Sequence, residues 1–298
     1  SLVDDCYIIE KKSRRVMMNK ITGYTGLYGI VANPIKHSFS PMMHNTAFQY
    51  LGIDDVYLAF EVEENHFANF ITSARILPIK GFNVSMPYKV KILSYLDELT
   101  PEAKLCQAVN TVKNDHGKLI GHISDGIGFI KACEEKHWNL HQQKIVVLGA
   151  GGAARAIVAA LTKQAKDIIV YNRSHKDWVE QMNQQCHCSI TLKSLQDMQS
   201  LKNDLKDAYL LIQTTNVGME PHTDGCLIPD ESYLNKSLKV ADIIYNPQET
   251  KLLTLAKEKG LEYMNGEGMI LYQGAVSFEF WTGQKMPISE VKKSLKME

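Results

Sequence analysis

Two residues in the first half of the chain, Lys89 and Asp125, are of types that together can move a proton. A lysine held by a carboxylate can give a proton to a ketone, or take one from an alcohol, while hydride moves at the same carbon. Around them the chain is polar where an ordinary α/β unit would be apolar. The polar runs are Asn33-Pro-Ile-Lys-His-Ser-Phe-Ser-Pro41, Gly81-Phe-Asn-Val-Ser-Met-Pro-Tyr-Lys89, Val109-Asn110-Thr111 and Ser124-Asp125-Gly126. Ser38 and Ser40 are hydroxyls beside a helix start, suited to holding a carboxylate. Asn83, Ser85 and Asn110 can each hydrogen-bond a hydroxyl-rich ligand. Taken singly, Lys89 reads as an exposed lysine and Asp125 as a helix cap. His37 and His44 have no identifiable orienting partner that would make either a base. Cys186-His187-Cys188 is too small a ligand set for tetrahedral zinc, so no metal site is expected.

A second signal lies at Gly149-Ala150-Gly151-Gly152-Ala153-Ala154, directly after the apolar run Lys144 to Leu148. Gly149, Gly151 and Ala154 occupy the three small positions of a dinucleotide-binding turn. The first glycine allows the tight turn, the second lets backbone approach a pyrophosphate, and the third small residue lets helix pack on strand. The helix that follows offers free N–H groups to the phosphates. The next strand ends at Asn172-Arg173-Ser174, where an NAD site usually carries an acid. A guanidinium there suits a 2′-phosphate, which favours NADP. Lys176 supports a phosphate and Asp177 opposes one.

These residues need elements to position them, and the chain alternates strand and helix patterns nearly throughout. That predicts an α/β protein with mainly parallel sheets. Strands are expected at Leu27 to Ala32, Val56 to Phe60 and Gly81 to Ser85, with a hairpin from Val109 to His122 turning at Asn114-Asp-His-Gly117. Ser40-Pro41 reads as an N-cap and first helical proline, with that helix stopping at Gly52. Glu63 to Arg75 is amphipathic, and Pro87 is expected to open a helix carrying Lys89. Later strands are expected at Lys144 to Leu148, Asp167 to Tyr171, Ser189 to Leu192, Tyr209 to Gln213, Val240 to Ile244 and Leu261 to Met264. Helices are expected at Gly152 to Leu161, Asp177 to Gln185, about Leu195 to Leu205, and around Leu252 to Ala256 before Gly260. The last two run from Met269 to Trp281 and from about Ile288 to Leu295. The expected division is a substrate-binding domain over 1–125 and a Rossmann-type domain over 126–267, with the cleft between them. The final helices, about 268–298, have no strands of their own left to cover and are expected to return to the first domain.

Composition narrows the role. The 298 residues carry 33 Lys+Arg and 33 Asp+Glu, so the formal net charge is zero. Nucleic-acid and polybasic membrane roles need a positive surface and are not expected. The longest run free of polar side chains, Ile145 to Ala154, is far short of the ~20 apolar residues of a membrane span. The first residues show no signal-peptide core, and the Lys11-to-Arg15 cluster reads as a solvated terminus. Cys6, Cys106, Cys133, Cys186, Cys188 and Cys226 are sparse and form no C-x-x-C, as expected of reduced thiols in the cytoplasm.

Taken in order, the motifs identify a likeness. Asn33-Pro-Ile-Lys-His-Ser-Phe-Ser40, Gly81-Phe-Asn-Val-Ser-Met-Pro-Tyr-Lys89, Ala108-Val-Asn-Thr111, Gly149-Ala-Gly-Gly-Ala153, Asn172-Arg-Ser174, Gly218-Met219, Asp242-Ile-Ile-Tyr-Asn-Pro247 and Gly268 through Gln273 to Gly283 follow one another. From about Tyr28 to Gly283 the chain resembles the shikimate dehydrogenases and the quinate/shikimate dehydrogenases. The resemblance implies reversible reduction of 3-dehydroshikimate to shikimate in the chorismate route to aromatic amino acids. It implies Lys89 as proton donor and acceptor with Asp125 as its partner. It implies Ser38 and Ser40 on the substrate carboxylate, and Ser85, Asn110, Asp125 and Gln273 on ring hydroxyls, with Tyr245 nearby. Gly149 to Ala153, Asn172 to Ser174, Thr215, Asn216, Ile243 and Gly266 fall to the cofactor. Four departures bear on preference. Ile123-Ser124-Asp125 stands for the family's Asn-Thr-Asp, and Gln213-Thr214-Thr215 for Asn-Ala-Thr. Asp177 lies near a position that is often basic, and Ser85 stands for the commoner Thr, as in the quinate/shikimate subgroup. The alternatives left open are a quinate/shikimate enzyme using NAD and a non-catalytic shikimate-binding module. The oligomeric state is open, a homodimer included.

Overall fold

The computed structural model describes residues 21–297; Cys6 and the Lys11-to-Arg15 cluster lie outside the described residues. In chain order the first half forms β1 (Gly26–Ala32), α1 (Ser40–Leu51), β2 (Asp55–Glu61), α2 (Phe67–Ile76), β3 (Ile79–Val84), β4 (Glu98–Leu99), α3 (Pro101–Cys106), β5 (Thr111–Asp115), β6 (Lys118–His122) and α4 (Asp125–Glu135). The second half forms β7 (Lys144–Leu148), α5 (Gly152–Leu161), β8 (Asp167–Asn172), α6 (Asp177–Asn183), β9 (Ser189–Ser194), α7 (Met198–Leu205) and β10 (Leu210–Gln213). It ends with β11 (Lys239–Asp242), α8 (Lys251–Glu258), β12 (Tyr263–Met264), α9 (Glu267–Thr282) and α10 (Ile288–Leu295). Two six-stranded sheets result, in the orders β2-β1-β3-β5-β6-β4 and β12-β11-β10-β7-β8-β9. The fold is α/β, as the alternating pattern predicts.

The second sheet is parallel throughout, and its central strands β7, β8 and β10 are mostly apolar and buried, as strands covered on both faces are. The first sheet is mixed. β1 pairs parallel with β2 and β3, while β5 lies antiparallel to both β3 and β6. His116 and Gly117 form the β5–β6 turn, both with positive φ, at 51° and 92°. A two-residue turn of that kind matches the twist of the strands and sets their register. It pairs Thr111 with His122.

Three local expectations are corrected. Ser40 is the first residue of α1 rather than its cap; Phe39 holds the cap position and makes no side-chain cap bond. Lys89 does not ride on a helix. It sits in a turn after the cis Met86-Pro87 bond, ahead of a short 3-10 segment at Lys91–Tyr95. A turn here leaves the Lys89 carbonyl free to accept from the Val109 amide, which ties it to the next segment at 2.8 Å. The short β4 and α3 have no counterpart among the expected elements. Thr100 and Pro101 do carry the signal of a helix start, for Thr100 caps α3 through the Ala103 amide.

α9 and α10 close the molecule. Phe278, Trp281 and Val291 are buried with Tyr28, Met43, Phe48 and Tyr57 in one apolar cluster. Trp281 Nε1 donates to the Val112 carbonyl at 2.9 Å, which fixes the helix to β5. Among the described residues no helix is long and apolar enough to cross a membrane.

His44 is the odd member of this cluster. It is wholly buried and stacks on Tyr57 with ring centroids 4.4 Å apart, and neither ring nitrogen has a partner. Burial with no acceptor pushes its pKa down from 6.5 to about 3. The unfolded chain takes up this proton near pH 6.5, whereas the folded chain resists it until about pH 3. Stability is therefore full above pH 6.5 and falls as pH drops, by about 1.4 kcal/mol per unit from this one group. His44→Phe keeps the stacked ring and removes that share of the slope. Urea unfolding of both proteins between pH 7 and pH 4.5 checks it, the variant showing the shallower loss.

Candidate active site

The ends of β1 and β3 open on the same side of the first sheet. The chain leaving β1 turns back through Asn33 to Phe39, held by the Ile35 amide on Glu61 Oε2 at 3.2 Å. The Ser40 amide then donates to Ser38 Oγ at 3.2 Å, so the two hydroxyls are presented together at the start of α1. Beyond β3 the Ser85 amide donates to the Val31 carbonyl at 3.0 Å, and the Tyr88 amide to the Ser85 carbonyl at 2.9 Å. This turn delivers Lys89, whose Nζ lies 2.6 Å from Asp125 Oδ2. Asp125 is the first residue of α4, where a carboxylate meets the positive end of the helix dipole. It is not the cap; Ser124 is.

The other oxygen of Asp125 is held from beneath. Asn110 Nδ2 donates to Asp125 Oδ1 at 2.9 Å, and Asn110 Oδ1 accepts from the Ser124 amide and from Thr111 Oγ1, both at 2.9 Å. Ser277 of α9 completes the set, with its Oγ 2.7 Å from Thr111 Oγ1 and 3.2 Å from Ser124 Oγ. Asn83 faces this cluster as well. Its Nδ2 donates to the Asn110 carbonyl at 2.9 Å, and its Oδ1 accepts from Tyr57 at 2.7 Å. Both ends of the Asn83 amide are thus used inside the protein. Asn83 supports the cleft floor and also lines the cleft. Tyr57, Thr111, Ser124 and Ser277 are buried polar residues that the site reading omits. Thr111 and Ser124 stand in polar runs already singled out but without a role, and Ser277 leaves a trace as a hydroxyl four residues past Gln273 on the covered face of its helix.

Above this floor lies a cleft of about 450 Å³. Ser38, Ser40, Asn83, Ser85, Lys89, Asn110 and Asp125 line it from the first sheet's side, and Gln273 from α9. Ile243, Tyr245 and Gly266 line it from the second sheet's side. Phe39 and Tyr245 meet edge to face across its mouth, with ring centroids 6.1 Å apart. The cleft therefore offers paired hydroxyls at one end, an amide at the side and an ion pair at the base. That set can hold a small polyhydroxylated carboxylate and pass one proton.

The second sheet contributes a turn shaped for a nucleotide. Gly149 has φ of 100°, and a Cβ there would lie 2.7 Å from both Thr214 Oγ1 and Thr215 Cγ2, so only glycine fits. Gly151 and Gly152 are the reverse: a Cβ on either would meet nothing within 4 Å. Their open face lies at the N-terminus of α5, where N–H groups and the dipole favour phosphate. The residues present fit a dinucleotide. Gln213, which departs from the family's Asn, is buried and satisfied. Its Oε1 accepts from the Thr215 amide at 2.6 Å, and its Nε2 donates to the Thr215 and Val217 carbonyls, which shapes the loop carrying Thr215 and Asn216. Nearby Asp242 accepts from the Ile244 amide and from Thr250, and burial pushes its carboxyl up to about 6. At the far end Asn172 donates to the Ser174 carbonyl at 2.8 Å, and Arg173 and Ser174 are exposed. His175 Nε2 lies 3.1 Å from Asp177 Oδ1, and Arg173 with Asp177 puts both charges at this tip.

Known proteins share this chain's pattern. Residues 30–112 match the shikimate dehydrogenase substrate binding domain, 131–218 the shikimate/quinate 5-dehydrogenase domain, and 266–296 the shikimate 5′-dehydrogenase C-terminal domain. The shikimate dehydrogenase (NADP(+)) of Listeria innocua is 41% identical over 283 residues, covering 93% of this chain and 97% of that one. That of Streptococcus pyogenes is 42% identical over 286 residues, covering 93% and 98%. Among solved structures, shikimate 5-dehydrogenase from Listeria monocytogenes in complex with shikimate and NAD superposes with a TM-score of 0.90 at 41% identity, covering 93% and 98%. A shikimate dehydrogenase in complex with NADP+ gives 0.86 at 38%, covering 93% and 96%.

The Tyr57–Asn83 bond gives a stability prediction. Tyr57→Phe leaves Asn83 Oδ1 buried without its donor, which should cost about 1–3 kcal/mol. Urea denaturation at constant pH should show the midpoint fall with an unchanged slope.

Proposed function

The chain belongs to the shikimate dehydrogenase family, and from that premise we propose that it reversibly reduces 3-dehydroshikimate to shikimate with NADP. The observation that carries this reading is the 2.6 Å Lys89–Asp125 pair at the base of a cleft whose other wall carries an open glycine turn. The proposed roles follow from position. Ser38 and Ser40 receive the substrate carboxylate, and Ser85, Asn110, Asp125 and Gln273 receive its hydroxyls, beside Tyr245. The bound nicotinamide supplies the hydride that reduces the ring carbonyl carbon. Lys89 gives its proton to the carbonyl oxygen in that direction and takes one from the hydroxyl in the other. Asp125 keeps the Nζ aimed at that oxygen, and Asn110 keeps Asp125 in place. Residues 1–125 with the final helices form the substrate unit in this reading, and 126–267 the cofactor unit.

For the cofactor, the proposed phosphate contacts are the first amides of α5 at Gly151 to Ala153. Gly149 and Ala150 shape the turn, and Thr215, Asn216, Ile243 and Gly266 line the nicotinamide end. Asn172, Arg173 and Ser174 take the adenosine end, with the guanidinium on a 2′-phosphate. One feature favours a second reading in which NAD serves: Asp177 is highly exposed and sits beside that same tip, where its charge opposes a phosphate. Use in aromatic biosynthesis and the free thiols of Cys106, Cys133, Cys186, Cys188 and Cys226 support a cytoplasmic location.

Nicotinamide absorbance with purified protein, in a grid of shikimate or quinate with NADP or NAD, tests the reading. The expected result is fastest turnover with shikimate and NADP. Faster turnover with NAD, or with quinate, would reassign the preference, and silence in all four would leave only a binding module. Lys89→Ala should lower kcat by ~10²–10⁴-fold while shikimate still binds; full activity would refute the proton-transfer role. Arg173→Gln should raise the KM for NADP by roughly tenfold or more and leave that for NAD nearly unchanged, as expected for loss of one charge-assisted contact.

A further inference from the structure

We propose that Arg155 is a side-chain ligand of the cofactor's pyrophosphate, an inference that rests on the nucleotide reading above and extends it. Arg155 lies in the first turn of α5, and its amide donates to the Gly151 carbonyl at 3.0 Å. Helical side chains lean toward the N-terminus, so this one lies over the turn that begins at Gly151. The open face of Gly151 and Gly152 is in that same turn.

One contact holds the guanidinium there, and a second holds its aromatic partner. The guanidinium centre is 5.9 Å from the Trp178 ring, and Trp178 Nε1 donates to the Ala150 carbonyl at 3.2 Å. The indole is thus fastened to the glycine turn and carries the cation beside it. The group is otherwise unmatched. Arg155 Nε is buried with no hydrogen-bond partner, and among the described residues the side chain makes no ion pair. One ionisable group, Cys106, acts on its charge. Burial pushes that thiol up to about 11, so it supplies no anion.

A half-buried guanidinium without a carboxylate is costly to keep. Here it adds a full positive charge to the partial charge of a helix N-terminus, on a face with room for a ligand. The ligand chemistry that satisfies both is a diphosphate. Its two charges and its oxygens suit a planar fork of donors on one side and backbone amides on the other. Arg173, at the end of β8, would then read the 2′-phosphate and Arg155 the pyrophosphate, so the two cations divide the cofactor between them.

The test is calorimetric binding of two fragments, ADP and 2′-AMP, to the native protein, Arg155→Gln, Arg155→Lys and Arg173→Gln. ADP carries the pyrophosphate and lacks the 2′-phosphate; 2′-AMP is the reverse. Arg155→Gln should weaken ADP about tenfold or more and leave 2′-AMP within about twofold, with Arg155→Lys intermediate for ADP. Arg173→Gln should do the opposite. Thermal melting of each variant checks that the turn remains folded. Native-like ADP affinity in Arg155→Gln would overturn the assignment alone. Equal weakening of both fragments would overturn it too, since it would mean that Arg155 only supports Trp178 and the turn. Failure of the native protein to bind ADP would overturn the nucleotide reading and the assignment together.

Discussion

A lysine and an aspartate at the floor of a largely apolar cleft need every remaining polar atom around them accounted for, and most of the first domain's local structure serves that need. Asp125 uses one oxygen for Lys89 and the other for Asn110. Asn110 in turn is oriented by Thr111 and Ser124, and those by Ser277. In low dielectric such a chain is strong when complete and expensive when one member is missing. Its geometry comes from the β5–β6 hairpin. The His116-Gly117 turn sets the register, the Asn110 amide then donates to the His122 carbonyl at 3.1 Å, and Asn110 ends beside Ser124 and Asp125. A slip of one residue would turn Asn110 to the other face of the sheet.

The same floor is tied to the rest of the molecule by one helix. α4 starts at Asp125 and packs against both α5 and α9 through small residues. A Cβ on Gly126 would overlap the Ala156 carbonyl, and one on Gly128 would lie 2.5 Å from the Gln273 amide nitrogen. Close approach at these two points sets Asp125, the nucleotide-turn helix and Gln273 in one rigid cluster. α9 is anchored in turn by Trp281 on Val112 and by its apolar face against α1 and β1. Residues far apart in the chain, Lys89, Asp125, Tyr245 and Gln273, thereby share one cleft.

Much of this was legible in the residues. Repeated strand and helix periods announce α/β architecture because apolar spacing is a local property. The glycine turn reads well for a similar reason: its φ at Gly149 and its open face at Gly151 are demands on individual positions. At Lys89 the sequence predicts a helix, because a proline after a strand usually opens one, and the chain forms a turn instead. Here the Lys89 carbonyl is claimed by the Val109 amide, from a segment twenty residues on. Ser40 read as a cap because its type and its proline neighbour suit one, yet Phe39 fills that place.

The sequence by itself determined the fold class, the nucleotide turn and the residue types able to bind and reduce a hydroxylated ring acid. These are carried by short motifs whose requirements are met within a few residues. Only the tertiary structure decided which polar side chains face the cleft and which are consumed beneath it. Asn83 and Asn110 look alike in the chain and both are saturated within the protein, but only Asn110 holds the carboxylate of the ion pair. The pairing of Lys89 with Asp125, the solitary Arg155 beside Trp178, and the ring nitrogens of His44 without hydrogen-bond partners were likewise decided there. Hydrogen-bond saturation and burial depend on what other segments bring to a point in space, and no spacing along the chain encodes that.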